Sequence, residues 1–237
     1  MQELVAEATA GSLDPAVVTS WLHLASPRVR FLKSLPINST VLDLGAGDGA
    51  LAIFKDWLEP LRPDLKLYAV SLGAGAHFHR YEGYELVDFD KGEPGFGGMV
   101  FDAMYSSNFV EHIDGGIDRL SEFAFRRLRC GGMLYVEGPS PFMEEVPRRE
   151  EFHAVGLPVV CGNFRDDKTH RATITLQTQV ERTQAAGFFV EESGYIRNRY
   201  IEDDMLRIAR RDANEVYATL AVWMKYYVSQ YAISTKV

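Results

Sequence analysis

The chain is poor in cysteine and has no long apolar run. Its 237 residues include only Cys130 and Cys161 as cysteines, too few for a disulfide framework, which favours a reducing compartment. No stretch reaches the roughly 20 consecutive apolar residues that a membrane-spanning helix needs. The first thirty residues also lack the basic start and apolar core of a secretory signal. We therefore expect a cytoplasmic protein that does not insert into a membrane.

An excess of basic residues is also missing. The formal net charge is −8, so the chain as a whole is not attracted to the phosphate backbone of nucleic acids, and we expect no nucleic-acid partner. Hydrophobic residues make up 46% of the chain and charged residues 24%. This composition leaves material for a core and excludes a wholly disordered protein.

Predicted strands and helices alternate along the chain. Short apolar strands are predicted at 40–44, 66–72, 84–89, 101–107, 131–139 and 188–196. Helices are predicted to begin at Pro15 and Pro27, and to cover 50–58, 117–128 (capped by Gly131) and 175–186. Such alternation predicts a Rossmann-like, doubly wound α/β fold: a mostly parallel sheet of six or seven strands with helices on both faces.

The whole chain, 1–237, is expected to form a single domain. Helices fill 1–37, a ligand-binding core spans 38–138, and 169–237 forms the C-terminal part. Between them, the proline-containing segment 139–168 breaks the alternation and is predicted to be an insertion and a candidate lid. Near the end, apolar residues from Val216 to Tyr231 follow helical spacing, while a seventh strand inside 216–228 is the alternative.

The sharpest motif is the glycine turn that follows the first strand. Gly45 and Gly47 lack side chains, so a ligand can lie against the backbone at the edge of the sheet. Gly45, Gly47 and Ala50 fit the G-x-G-x-x-A pattern of dinucleotide sites, which keeps a nicotinamide-dependent oxidoreductase open. However, Asp43 and Asp48 would repel a pyrophosphate. They suit a cationic ligand such as S-adenosylmethionine, which carries an ammonium group, a sulfonium and no phosphate.

Four segments in order resemble the class I S-adenosylmethionine-dependent methyltransferases, and the resemblance covers roughly residues 38–193. They are VLDLGAGDG (41–49), FDAMYSSNFVEHI (101–113) with its Glu111-His112 pair, RRLRCGGMLYVEGPSP (126–141) and THRATITLQTQVERTQAAGFFV (169–190). The last segment is similar to the branch of the family that modifies glycans, lipids and small metabolites.

The resemblance implies a set of cofactor-binding residues. Asp43 would help to hold the methionine amino group, and Gly45, Ala46 and Gly47 would line the cofactor. Asp88 stands where the family has its adenine-side acid, and Phe89 would lie along the adenine. Ser71 replaces the acid that usually holds the ribose hydroxyls, and a serine makes only a weaker, single contact. Ser106, in the fourth predicted strand, completes the set.

The reaction implied is methyl transfer to a small-molecule or glycan acceptor, with a hydroxyl as the expected acceptor group. A hydroxyl needs a base to take its proton, and histidine suits this role near neutral pH. His112 and His170 are the two candidates. No metal is expected, and His77 and His79 are expected to cover the cofactor. The protein is expected to be a monomer or a homodimer.

Ser71 supports an alternative to catalysis. Without the ribose-binding acid, the chain could keep the fold as a catalytically inactive binding or regulatory module. Binding of S-adenosylhomocysteine would separate this reading from the methyltransferase reading.

Overall fold

A seven-stranded mixed sheet organises the computed structural model, which describes residues 14–57 and 59–237. The strands are β1 (Thr40–Leu44), β2 (Lys66–Ser71), β3 (Gly83–Leu86), β4 (Phe101–Ser107), β5 (Leu128–Pro139), β6 (Phe188–Tyr195) and β7 (Ser229–Lys236). Their order across the sheet is β3-β2-β1-β4-β5-β7-β6. Only β7 runs antiparallel to its neighbours, β5 and β6. The predicted fold class is therefore confirmed, with seven strands.

Helices begin where the sequence provides starting signals. The helices are α1 (Pro15–Leu24), α2 (Pro27–Ser34), α3 (Leu51–Phe54), α4 (Gly116–Arg127), α5 (Arg149–Ala154), α6 (Leu176–Ala185), α7 (Glu202–Asp212) and α8 (Glu215–Lys225). Asp14 caps α1 by accepting a hydrogen bond from the backbone N–H of Ala16 at 2.9 Å, and α2 begins at Pro27 as predicted. Among the helices of residues 14–57 and 59–237, none is long and apolar enough to cross a bilayer.

Three apolar clusters hold these elements together. On one face of the sheet, Phe31 and Leu32 of α2 pack against side chains of β1 and β2. On the other face, side chains of α4 and Phe188 of β6 pack against β1, β4 and β5. A third cluster joins α1, α7 and α8 to the segment 139–168, through side chains such as Met143 and Phe152. The segment 139–168 is thus packed against helices.

The C-terminal segment contains both a helix and a strand, one after the other. The helix α8 covers 215–225, and β7 begins only at Ser229. The alternative of a strand inside 216–228 is therefore wrong. The spacing of the apolar residues from Val216 to Tyr231 predicts Tyr231 in a helix, but this residue lies in β7. A further helix, α7, precedes α8, and the two are separated because Ala213 adopts a left-handed backbone with φ of 51° and Asn214 caps α8.

Three other boundaries differ from the predictions. The helix α4 ends at Arg127 rather than near Gly131, because the buried Leu128 pairs with Phe101 as the first residue of β5. The third strand stops at Leu86, since the chain turns through residues 87–90. The helix predicted over 50–58 is a single turn, α3, and Leu58 lies outside the described residues.

Candidate functional site

The loops after β1 and β4 meet at the carboxyl edge of the sheet, where the strand order reverses. In open α/β sheets, ligands bind in the crevice at such a reversal. Here Phe109, from the loop after β4, covers Gly45: a Cβ atom on that glycine would lie 2.5 Å from the Phe109 ring. Gly47 is different, because a Cβ atom there would have no neighbour within 4 Å. The turn therefore presents bare backbone at Gly47.

The backbone conformation of its glycines and two hydrogen bonds to β2 fix the shape of the glycine turn. Gly45, Gly47 and Gly49 all have positive φ, at 74°, 53° and 80°, a conformation that favours glycine. The backbone N–H groups of Gly45 and Ala46 both donate to the carbonyl oxygen of Val70 in β2, each at 2.9 Å. The turn is thereby fixed to the neighbouring strand.

The loop that follows β2 lies against this turn. The backbone N–H of His77 donates to the carbonyl oxygen of Asp48 at 2.9 Å, and any side chain at Gly75 would collide with the carbonyl oxygen of Gly47. His79 bonds locally, from its Nδ1 to the carbonyl oxygen of Ala76 at 3.1 Å. The loop carrying His77 and His79 is thus placed beside the glycine turn.

Asp43 lies beneath the turn with only 2% of its surface exposed. Its Oδ2 accepts a hydrogen bond from the Tyr81 hydroxyl at 2.6 Å. Burial raises the pKa of Asp43 to about 7, although the bond from Tyr81 opposes this shift. A cation near the turn would favour the ionised carboxylate.

Three further predicted cofactor residues, Ser71, Asp88 and Phe89, have different surroundings. Ser71 ends β2, half-buried, opposite Leu86. Asp88 is bonded within its own turn, to Lys91 Nζ at 2.7 Å and to the N–H of Asp90 at 3.1 Å. Phe89 is 2% exposed.

Phe89 is packed among other rings. Its ring makes edge contacts with Phe109 and Phe123, at centroid distances of 5.7 and 5.2 Å. A ring enclosed in this way has no free face for an adenine. The structure therefore gives no support to the expected role of Phe89.

Ser106 lies at the end of β4, opposite Leu44 of β1. It is fully buried, and its Oγ has no hydrogen-bond partner among the described residues. A buried hydroxyl without a partner is costly. Its position at the ligand-binding edge makes it a candidate for contact with a bound molecule.

A second group of polar side chains lies beyond the glycine turn. His112 ends a short 3₁₀ turn after β4, and His170 precedes α6. Their ring centroids are 4.8 Å apart, so the two predicted base candidates are neighbours. One ligating atom from each of Glu111, His112 and His170 lies within 4.8 Å of the others. The sequence places Glu111 next to His112 but indicates no separate role for its carboxyl group.

Hydrogen bonds fix the proton on both imidazole rings. His170 Nδ1 lies 2.7 Å from the carbonyl oxygen of Phe164, which can only accept, so this nitrogen carries the hydrogen. Thr169 donates its hydroxyl hydrogen to Asp167 at 2.6 Å and accepts from His112 Nδ1 at 2.8 Å. In the neutral form of each ring, the lone pair therefore lies on Nε2.

Burial shifts the pKa of two members of this cluster, Glu111 and His112. It raises the pKa of Glu111 to about 8. It also lowers the pKa of His112, and His170 lowers it further. The Oε2 atom of Glu111 is buried and has no hydrogen-bond partner among the described residues. The cluster thus combines two imidazoles with an incompletely satisfied carboxyl group.

Cavities adjoin the cluster on two sides. One of about 170 Å³ is lined by Glu111, His112, His170, Cys161 and Trp223, among others. Burial raises the pKa of Cys161 to about 11, so its sulfur remains a thiol at neutral pH. A larger cavity, of about 330 Å³, shares Glu111 and continues toward α6.

Trp223 also lines a third cavity. Its indole N–H donates to the carbonyl oxygen of Cys161 at 2.6 Å. The third cavity, of about 70 Å³, includes Trp223, Arg28 and Glu137 in its lining. Trp223 is therefore a wall common to two cavities.

Comparison with known proteins identifies the fold. No protein-family model and no curated protein sequence matches the chain, but many solved structures do. An S-adenosylmethionine-dependent methyltransferase from Mesorhizobium loti matches with a TM-score of 0.59 at 16% identity, over 89% of this chain and 96% of that one. Phosphoethanolamine N-methyltransferase 2 from Haemonchus contortus, in complex with S-adenosylmethionine, matches with a TM-score of 0.58 at 17% identity, over 90% of this chain and 52% of that one.

The same fold occurs in a protein named for another reaction. The [4+2]-cyclase SpnF matches with a TM-score of 0.57 at 17% identity, over 91% of this chain and 80% of that one. The chain therefore has the Rossmann-like fold of class I methyltransferases. Function is a property of the site rather than of the fold.

Proposed function

We propose that the protein is an S-adenosylmethionine-dependent methyltransferase that acts on a hydroxyl group of a small-molecule or glycan acceptor. The observation that carries the proposal is the bare backbone at Gly47 beside the buried carboxyl group of Asp43, at the reversal of strand order. Methyltransferases that bind this cofactor share the fold.

The residues at this edge fit such a cofactor. Gly47 leaves room for a ligand against the backbone. The carboxyl groups of Asp43 and Asp48 suit a cation and disfavour a pyrophosphate. Ser106 offers a buried hydroxyl without a partner.

We assign the cofactor contacts to this edge of the sheet. The residues assigned are Asp43, Gly45, Ala46, Gly47, Ser71 and Ser106, while Asp88 would join them only by leaving Lys91. Phe89 is left out because it is enclosed by other rings. When bound, S-adenosylmethionine supplies an electrophilic methyl group on a sulfonium.

The histidine cluster supplies the proton acceptor. The Nδ1 atoms of His112 and His170 donate to Thr169 and Phe164, so a neutral ring at either position has its lone pair on Nε2. The lowered pKa of His112 keeps its ring neutral, and so able to accept a proton, at neutral pH. Either ring faces the cavity of about 170 Å³ in which an acceptor hydroxyl would lie.

The larger cavity favours an acceptor rich in hydroxyl groups. Its lining includes Gln179, Gln230, Arg171 and Arg182, all of which donate hydrogen bonds. The Oε1 atom of Gln230 is buried without a hydrogen-bond partner among the described residues. The segment 139–168 contributes Met143 and Cys161 to the smaller cavity, which supports its role in building the acceptor pocket.

Calorimetric titration with S-adenosylhomocysteine tests the cofactor site. We expect micromolar binding to the wild type, and binding weakened at least about ten-fold in Gly47→Ala, because the new methyl group occupies the bare backbone. Gly97→Ala is the matched control: Gly97 also has a left-handed φ, of 60°, with open surroundings. Absence of binding to the folded wild type would contradict the proposal.

A non-catalytic binding module is the second candidate. It is favoured by Ser71, which stands where the resemblance calls for an acid, and by the local bonds that occupy Asp88. A protein of this kind would leave a broad set of hydroxyl-bearing acceptors unmethylated. The binding-module candidate would be excluded if the wild type transferred a labelled methyl group to any acceptor. This activity should be lost in both His112→Asn and Gly47→Ala.

A further inference from the structure

We infer that Glu111, His112 and His170 form a binding site for one divalent transition-metal ion, with Zn²⁺ as the best match. Two imidazole nitrogens and one carboxylate oxygen are a common set of protein ligands for catalytic zinc, which leaves a further position open. The inference concerns a separate ligand and does not depend on the proposed methyl transfer.

The ligating atoms are free and close together. The Nδ1 atoms of both histidines are used in hydrogen bonds, which leaves Nε2 for a metal, and one carboxyl oxygen of Glu111, Oε2, is buried without a partner among the described residues. His112 Nε2 lies 3.9 Å from Glu111 Oε1, and all three groups lie within 4.8 Å of one another. Ligands at about 2.1 Å around a tetrahedral zinc ion are about 3.4 Å apart, so modest side-chain rotations would close the site.

The outer contacts match those of metal-binding histidines. Such histidines usually donate their other ring N–H to a carbonyl, a hydroxyl or a carboxylate, which fixes the ring and its tautomer. His170 donates to the carbonyl oxygen of Phe164, and its ring stacks on the Phe164 ring at 4.6 Å. His112 donates to Thr169, whose hydroxyl is in turn bonded to Asp167.

The neighbouring cavity provides room for the open position. The cavity of about 170 Å³ is lined by all three groups. Cys161 also lines it, but among the described residues only Glu111, His112 and His170 bring ligating atoms within 4.8 Å of one another, so the ligand set is nitrogen and oxygen. Such a set selects among first-row ions by geometry and availability, and zinc binds more strongly than manganese or iron(II).

A bound ion would change the assignment of roles in this cluster. The Nε2 lone pairs would be used by the metal and could no longer accept a proton. An acceptor hydroxyl or a water molecule on the open position would instead lose its proton more readily.

Titration of the chelator-treated protein with Zn²⁺ alone tests the site. We expect one ion per chain with micromolar or tighter affinity, and at least about ten-fold weaker binding in His112→Asn and in His170→Asn. Both side chains are only partly buried, so both variants should fold, which circular dichroism will check. Thr169→Val should weaken binding about ten-fold while sparing the ligands.

His79→Asn is the control for adventitious metal at the His77–His79 pair, and it should bind like the wild type. Substitution by Co²⁺ should give the visible absorption of a tetrahedral site in the wild type, lost in His170→Asn. No stoichiometric binding by the wild type, or binding lost in His79→Asn and retained in the cluster variants, would overturn the inference. Neither cofactor nor acceptor is present, so failure here leaves the methyltransferase proposal untouched.

Discussion

At the scale of single residues, the two glycines after β1 serve different neighbours. Gly45 makes room for the Phe109 ring of this same chain, whereas Gly47 faces open space. A sequence motif cannot distinguish a glycine needed for packing from one needed for a ligand. The distinction depends on Phe109, far away in the sequence, and it makes Gly47 the informative position to substitute.

Asp43 should make stability depend on pH. Its folded pKa of about 7 lies above the ordinary value of 3.8, so the folded state holds the proton more strongly than the unfolded state. The protonated Asp43 therefore adds to the free energy of unfolding, and this stabilisation is fully present below pH ~4 and is lost as pH rises through about 7. Asp43→Asn, which keeps the acceptor for Tyr81, should lose less stability over this range.

Between the ends of this pH range, the free energy of unfolding should fall by on the order of 3 kcal/mol more in the wild type than in Asp43→Asn. Urea unfolding from pH 4 to pH 8 measures it. Asp88→Asn is a suitable control, because Asp88 is partly exposed and paired with Lys91. The prediction would be refuted if the free energy of unfolding changed with pH in the same way in the wild type and in Asp43→Asn.

Residue positions close in sequence were the most predictable part of the site. The glycine turn and Asp43 belong to one short segment, so their proximity follows from the chain itself. By contrast, the contact between His112 and His170 joins two separate loops, and the burial of Phe89 depends on Phe109 and Phe123. Such distant contacts leave no local pattern in the sequence.

At the scale of elements, one buried arginine, Arg62, satisfies carbonyl groups at the C-terminal end of α2. The Arg62 guanidinium donates to the carbonyl oxygens of Leu32, Lys33, Leu35 and Pro36. It also pairs with Asp64 at 2.8 Å and holds the pKa of that carboxyl well below its usual range. The last carbonyls of a helix need such partners.

Arg62→Met should therefore destabilise the protein by about 3 kcal/mol, because several buried carbonyls lose their donor. Arg62→Lys should recover only part of the loss, since one ammonium group cannot reach the same set of oxygens. Urea unfolding at neutral pH gives both values. Equal stability of Arg62→Met and wild type would show that water replaces the guanidinium.

Element types were predictable, and element ends much less so. Short, nearly continuous apolar runs identify β1, β2 and β4 because these strands are largely buried on both faces. The end of α4 depends instead on the pairing of Leu128 with Phe101. The strand β7 takes its place between β5 and β6 through pairing with residues distant in the sequence.

At the scale of the whole molecule, two ion pairs attach α2 to the sheet. Arg28 pairs with Glu137 of β5, which is fully buried and also accepts from the Tyr135 hydroxyl at 2.6 Å. Arg30 pairs with Glu192 of β6 at 2.7 Å, but half of its own side chain is exposed. The two pairs have similar chemistry and very different burial.

Arg28→Met should cost about 3–5 kcal/mol, because it leaves a buried carboxylate without its partner. Arg30→Met should cost at most about 1 kcal/mol, since water screens the exposed pair. Chemical denaturation of the two variants side by side measures the contrast. Similar losses would mean that burial does not decide the strength of these pairs.

The fold class is the part of the whole molecule that composition and alternation predicted well. The resemblance extended this prediction to the order of motifs. What the sequence left open is how the segment 139–168 packs with α7 and α8 above the sheet. That arrangement depends on three separate segments meeting in space.

Trp223 has a consequence for the size of molecules that the protein could accommodate. Trp223 contributes to the walls of both cavities, of about 170 and 70 Å³. Its indole N–H is bonded to the Cys161 carbonyl oxygen. A smaller residue at position 223 should therefore enlarge both cavities, and with them the size of the molecules that fit.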